Sequence, residues 1–125
     1  MSMSVGLYEI LIVDDDDDAR QILGAVLGLS GYLVWQARDG QEALQQLRGA
    51  CRPAAIVLDL CMPGMDGRAF RAAQVADPAL AGIPIVVLSG EADGREEAAA
   101  LGVAGYLRKP VELGALVALL QRYAP

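Results

Sequence analysis

Five short strand-like runs, each ending at or just before a polar residue and each followed by a segment of helical character, leave this chain few folds to choose from. The runs are Glu9 to Val13, Tyr32 to Ala37, Ala54 to Leu58, Ile83 to Leu88 and Gly105 to Arg108. In the first, Ile10, Leu11, Ile12 and Val13 are consecutive and largely β-branched, the pattern of a strand buried on both faces. Pro84 stands at the entry of the fourth, where a missing donor is tolerable. Between the runs lie helical patterns. Asp18 to Leu29 carries Ile22, Leu23, Val26 and Leu27, and Gly31 suits its C-terminal cap. Ala43, Leu44 and Leu47 mark a second helix, and Arg68 to Val75 a third, closed by Asp77-Pro78. Glu91 to Leu101 is an alanine-rich fourth, and Leu113, Leu116, Val117 and Leu120 give an amphipathic fifth. Strands alternating with helices predict an α/β fold, one doubly wound five-stranded parallel sheet with helices on both faces. The 125 residues read as a single domain, 1–125, with a core of about 9–122. Strand order is not visible in periodicity.

Composition narrows the partners. The net charge is -6, from 10 Lys+Arg against 16 Asp+Glu, and the basic residues do not cluster, which argues against direct contact with nucleic acid. Met1 to Gly6 lacks the charged and apolar regions of a signal peptide, and no apolar run approaches a membrane span. Cys51 and Cys61 match no zinc or redox spacing, so reduced thiols in a cytoplasmic protein are expected. The chain has no histidine, which excludes catalysis or metal binding by its own imidazoles.

The third strand runs into an acid, Asp59, and then into the turn chemistry of Met62-Pro63-Gly64 and Asp66-Gly67. Taken alone, Asp59 is either a reactive carboxylate or the cap of the next turn. The first strand runs into five aspartates, Asp14 to Asp18. Asp17 or Asp18 suits the cap and first turn of the following helix, where carboxylates meet the positive end of its dipole. Asp14 and Asp15 stay at the strand end, where a divalent cation would relieve their mutual repulsion. In a parallel sheet the carboxyl ends of the strands share one edge. That edge therefore gathers Asp14, Asp15, Asp59, Ser89 and Lys109. Three carboxylates, a hydroxyl and an ammonium suit phosphoryl transfer to a carboxylate. Oxygen ligands select Mg²⁺, with Mn²⁺ as an acceptable substitute, and the hydroxyl and ammonium hold the remaining phosphoryl oxygens.

With I-L-I-V-D-D-D, I-V-L-D-L-C-M-P-G-M-D-G, V-V-L-S-G and Y-L-R-K-P in that order, the chain resembles the receiver domain of two-component response regulators over about Glu9 to Arg122. The resemblance implies a flavodoxin-like (βα)5 fold with sheet order 2-1-3-4-5. It makes Asp59 the phosphoacceptor, Asp15 a direct Mg²⁺ ligand, Asp14 its helper through water, and the backbone carbonyl of Cys61 a further ligand. Ser89 would bind the phosphoryl group, Lys109 would pair with it, and Lys109-Pro110 would be cis. Ser89 and Tyr106 would form the switch. Ser89 moves toward the phosphoryl group, Tyr106 turns inward, and the face made by the fourth helix, fifth strand and fifth helix is remodelled. The plain alternative for Tyr106 is packing at a sheet edge. The donor would be a phosphohistidine on a sensor histidine kinase or a His-containing phosphotransfer protein, as in a phosphorelay. The implied chemistry is the domain's own phosphorylation and dephosphorylation, not turnover of a substrate. A phosphorylation-dependent dimer through the same face is a candidate state, and the target or output domain is not specified.

The sequence departs from the family's commonest pattern in a few places. Ser89 stands where Thr is frequent, Gly90 follows where a small residue is usual, and Asp17 stands where Pro is frequent. Cys61 and Glu91 hold positions that influence phosphate loss in the family, and Cys61 brings a thiol near the acyl phosphate. Two other readings compete. A phosphohydrolase of the haloacid dehalogenase type needs a second acid two residues after the nucleophile, where this chain has Cys61. A constitutive interaction module would have no need of the acid, hydroxyl and lysine set. A nucleotide site is weaker still, since there is neither a G-x-G-x-x-G nor a P-loop.

Overall fold

The computed structural model describes residues 7–60 and 66–125. The readings made for Met1 to Gly6, for Cys61 and for Met62-Pro63-Gly64 lie outside the described residues.

The chain alternates β1 (Glu9–Val13), α1 (Asp17–Leu29), β2 (Leu33–Ala37), α2 (Gly40–Arg48), β3 (Ala55–Asp59), α3 (Gly67–Ala76), β4 (Ile85–Ser89), α4 (Gly94–Leu101), β5 (Gly105–Arg108) and α5 (Leu113–Leu120). All strand pairs are parallel and the order is β2-β1-β3-β4-β5. The flavodoxin-like order is therefore the one observed. Apolar residues alternate between two cores because successive strand side chains face opposite ways. Ile10 and Ile12 join Val57, Val86 and Leu88 under α1 and α5, against Leu23, Leu27, Leu116 and Leu120. Leu11 and Val13 join Ile56, Leu58, Ile85 and Val87 on the other face, against Leu44, Leu47, Phe70 and Ala98 of α2, α3 and α4. The central strands β3 and β4 are buried along their whole length, which is why they read as unbroken apolar runs.

Several boundaries differ from expectation by a residue or more, and four of the differences have a plain local reason. α1 begins at Asp17 because Asp16 is its N-cap, its side chain accepting from the Asp18 and Ala19 amides, so the cap falls one residue earlier than expected. Ser30 is the C-cap and Gly31, at φ 99°, makes the left-handed turn after it. β4 begins at Ile85 because Pro84 has no N–H to give, although its carbonyl still accepts from Ile56. α4 begins at Gly94 and not at Glu91. The Glu91 amide is taken by the Ser89 hydroxyl, Gly94 turns back onto the Glu91 carbonyl, and Asp93 makes no side-chain cap.

Cys51 is buried at the opposite end of the sheet from the acidic edge. Burial first, then the charge of Glu9, push its thiol up to about 12, so it is almost entirely protonated at neutral pH and behaves as a small apolar side chain.

Candidate functional site

Strand register brings the predicted residues together. Val13 pairs with Leu58, so Asp14 leaves the sheet beside Asp59 at the end of β3. Asp59 pairs with Leu88, placing Ser89 one step further along β4. Ser89 pairs with Arg108, and the Lys109 amide donates to the Ser89 carbonyl at 2.9 Å, which carries Lys109 past the end of β5. The Lys109-Pro110 bond is cis, as expected. The Lys109 ammonium lies 3.3 Å from Asp59 Oδ2, with Asp59 largely buried and Lys109 partly open to solvent.

The five aspartates have separate surroundings. Carboxylate oxygens of Asp14, Asp15 and Asp59 all lie within 4.8 Å of one another. Asp14 is 2 % exposed, its Oδ1 accepts from the Asp16 amide at 2.9 Å, and its Oδ2 is buried without a hydrogen-bond partner among the described residues. Asp16 caps α1 and Asp17 pairs with Arg20. Burial raises the Asp14 carboxyl above its ordinary 3.8, and the negative charge of Asp59 raises it further, against the lowering effects of the Asp16 amide and Lys109. A buried carboxylate oxygen with no donor, among three carboxylates, fits a hard divalent cation. Cys61, whose carbonyl was expected to complete the ligand set, lies outside the described residues.

The charge on Asp14 has a thermodynamic sign. Its folded pKa lies above its unfolded one, so the folded protein binds this proton more tightly, and ionised Asp14 destabilises the metal-free protein above the raised pKa. That cost is withdrawn as pH falls from the raised value to 3.8. Asp14→Asn is therefore expected to raise the Tm of the metal-free protein at neutral pH. The difference from wild type should shrink as pH falls through that window. Thermal unfolding of both proteins across pH checks this, and an Asn variant that melts lower at neutral pH contradicts it.

Tyr106 packs on the edge strand β5, the plain alternative read from the sequence, and it shares with Ser89 a space that the sequence did not foretell. The Ser89 hydroxyl accepts from the Glu91 amide at 3.1 Å. Tyr106 already packs against the core on the α4 side of the sheet, with the Arg95 guanidinium 5.1 Å from its ring centroid. Both side chains reach the space beside Gly94, where an added Cβ would stand 2.7 Å from Ser89 Oγ and 3.1 Å from the Tyr106 hydroxyl.

Three residues near the site have roles that were not read from the sequence, where Gly67 stood only as turn chemistry. Arg68, at the start of α3, pairs with Asp66, Glu91 and Glu97 and so ties α3 to the β4–α4 connection. Gly67 lies hard against the Asp59–Leu60 backbone. Arg20 holds the β1–α1 connection. Only the i,i+3 spacing of Asp17 and Arg20 could have hinted at the last of these.

A family model described as the response regulator receiver domain matches residues 10–121. The chain is 40% identical to "Response regulator MprA" of Mycolicibacterium vanbaalenii over 93% of its own length and 52% of the relative's. It is 40% identical to "Transcriptional regulatory protein PrrA" of Mycobacterium leprae, covering 94% of this chain and 50% of that one. The chain thus spans about half the length of these curated relatives. Among solved structures, chemotaxis protein CheY4 of Vibrio cholerae superposes with a TM-score of 0.85 at 33% identity, covering 94% of this chain and 99% of that one. The receiver domain of a sensor histidine kinase from Pseudomonas aeruginosa, solved with a magnesium ion coordinated in its active site cleft, superposes at 0.84 with 30% identity, covering 95% and 98%. Among the described residues, no helix is long and apolar enough to cross a membrane.

Proposed function

The chain belongs to the response regulator receiver domain family, and on that footing we propose that Asp59 is its phosphoacceptor and that residues 9–122 work as one phosphorylation-controlled switch. The observation that carries this reading is the Lys109 ammonium 3.3 Å from Asp59 Oδ2, in a group where Asp14 and Asp15 oxygens lie within 4.8 Å of Asp59. The donor is a phosphohistidine on a sensor kinase or a phosphotransfer protein. A carboxylate oxygen of Asp59 attacks phosphorus. The new P–O bond forms as the P–N bond breaks, and its electron pair returns to the imidazole nitrogen of the donor. Lys109 holds one phosphoryl oxygen as its charge is redistributed, and Ser89 turns from the Glu91 amide to donate to another. Asp14, Asp15 and Asp59 would hold Mg²⁺, which when bound neutralises charge on the transferring group. Release is attack by water on phosphorus, which returns the Asp59 carboxylate and inorganic phosphate. No separate substrate is turned over. The output is a change in the face formed by α4, β5 and α5, where Tyr106 sits.

Intact mass after incubation with acetyl phosphate and Mg²⁺ tests this. One phosphoryl group is expected on the wild type, and none on Asp59→Asn or without the metal. A folded wild type that gains no phosphoryl group from acetyl phosphate or from a phosphohistidine donor would instead indicate a constitutive interaction module.

A further inference from the structure

A run of five aspartates poses a problem of register, because any two neighbours could turn toward a cation. The fold resolves it through one side chain. Arg20, in the second turn of α1, is buried although it carries a charge. Its Nη1 donates to the Asp14 carbonyl at 2.8 Å in a buried bond. Its Nη2 donates to Asp17 Oδ1 at 2.5 Å, and its Nε to Gln36 Oε1 at 3.2 Å. Gln36 is itself held on β2, its side-chain amide filling the space left by Gly24, where a Cβ would stand 2.8 Å from Nε2.

We propose that Arg20 is a positioning residue that decides which aspartates face the cation. It anchors the Asp14 peptide and removes the Asp17 carboxylate from competition, leaving Asp14 and Asp15 for the cluster with Asp59. The inference rests on the metal-binding reading of that cluster. The magnitudes assign the role to geometry and not to general stability. The Asp17 carboxylate is 68% exposed, so its ion pair with Arg20 contributes little to folding. The buried bond to the Asp14 carbonyl instead fixes the backbone of the residue whose Oδ2 has no hydrogen-bond partner among the described residues. Asp16 is turned toward α1, because its Oδ1 accepts from two amides of that helix.

The test is Mn²⁺ affinity, read from the electron paramagnetic resonance signal of free Mn²⁺, on proteins shown to be folded by circular dichroism. Wild type and Asp15→Asn come first. If wild type binds no Mn²⁺, or Asp15→Asn binds it equally well, the metal reading fails and the proposal with it. If that control behaves, Arg20→Met is expected to bind Mn²⁺ about tenfold more weakly or worse, the loss typical of removing a residue that orients a ligand. Adding Asp17→Asn to Arg20→Met should recover part of that loss, the share due to the released Asp17 carboxylate, whereas Asp17→Asn alone should bind as wild type does. Unchanged affinity in Arg20→Met overturns the proposal. So does a loss that Asp17→Asn leaves untouched, since a merely structural role would not respond to the second carboxylate. Should Arg20→Met fail to fold, Arg20→Lys, with and without Asp17→Asn, gives the same comparison.

Discussion

Replacing Lys109 with alanine is expected to slow phosphoryl uptake from acetyl phosphate by about 10²–10³, the usual effect of removing one fixed donor from a developing charge. Lys109 Nζ stands 3.3 Å from Asp59 Oδ2 and is carried there by the last residues of β5 and the bond from its amide to the Ser89 carbonyl. Loss of the ammonium leaves Asp59 in a cluster of three carboxylates, so electrostatic repulsion of an incoming phosphoryl group rises just where neutralisation is needed. Mn²⁺ affinity should not fall in the variant, because a nearby positive charge has been removed. The two measurements together, rate and metal affinity, separate loss of transition-state support from loss of the site. A Lys109→Ala protein that takes up phosphoryl groups at the wild-type rate would remove Lys109 from the mechanism.

Gly67→Ala is expected to damage fold and site together. A Cβ at Gly67 would stand 2.7 Å from Leu60 Cα and 2.8 Å from the Asp59 carbonyl oxygen. Both are backbone atoms, so no side-chain rotation relieves the contact, and either α3 or the end of β3 has to move. The Gly67 amide also donates to the Leu60 carbonyl at 3.0 Å, which ties the two segments at this point. Overpacking of this kind costs about 1–3 kcal/mol. Urea unfolding should show that loss, and uptake of the phosphoryl group should fall even well below the transition because Asp59 is displaced. A variant with wild-type stability and rate would show that the Asp59 position tolerates movement of α3.

The fold was legible because β3 and β4 are buried on both faces and so had to be written as apolar runs, Ala55–Asp59 and Ile85–Ser89. Asp59 and Ser89 were legible as the polar residues that close those runs, and Lys109 as the residue after β5. Strand order came only from resemblance, since Ile10 and Val86 would satisfy a central position equally well in any order. The role of Arg20 was hidden because its main partner is a carbonyl, and a backbone oxygen leaves no trace in residue identity. Gly67 looked like turn chemistry, whereas its use is close approach to the end of β3. The seat of Tyr106 beside Gly94 was hidden for a related reason: an empty volume is not written at any one position.

The thin apolar attachment of α4 would set the gain of the proposed switch. Moving a two-state element from 1:99 to 99:1 takes about 5.5 kcal/mol of differential interaction. A helix sunk by several large side chains would need far more than one new anion to shift it. α4 buries only Gly94 and Ala98, with Leu101 partly covered, and has no side-chain cap at its start. Its polar ties include Arg68 to Glu97, Arg95 to Tyr106 and Arg71 to the Leu101 carbonyl, and each involves a charged group that a new anion at the strand ends would attract or repel. If Asp59 is the phosphoacceptor as proposed, weak attachment here would bring a single covalent event within range of a full conformational response.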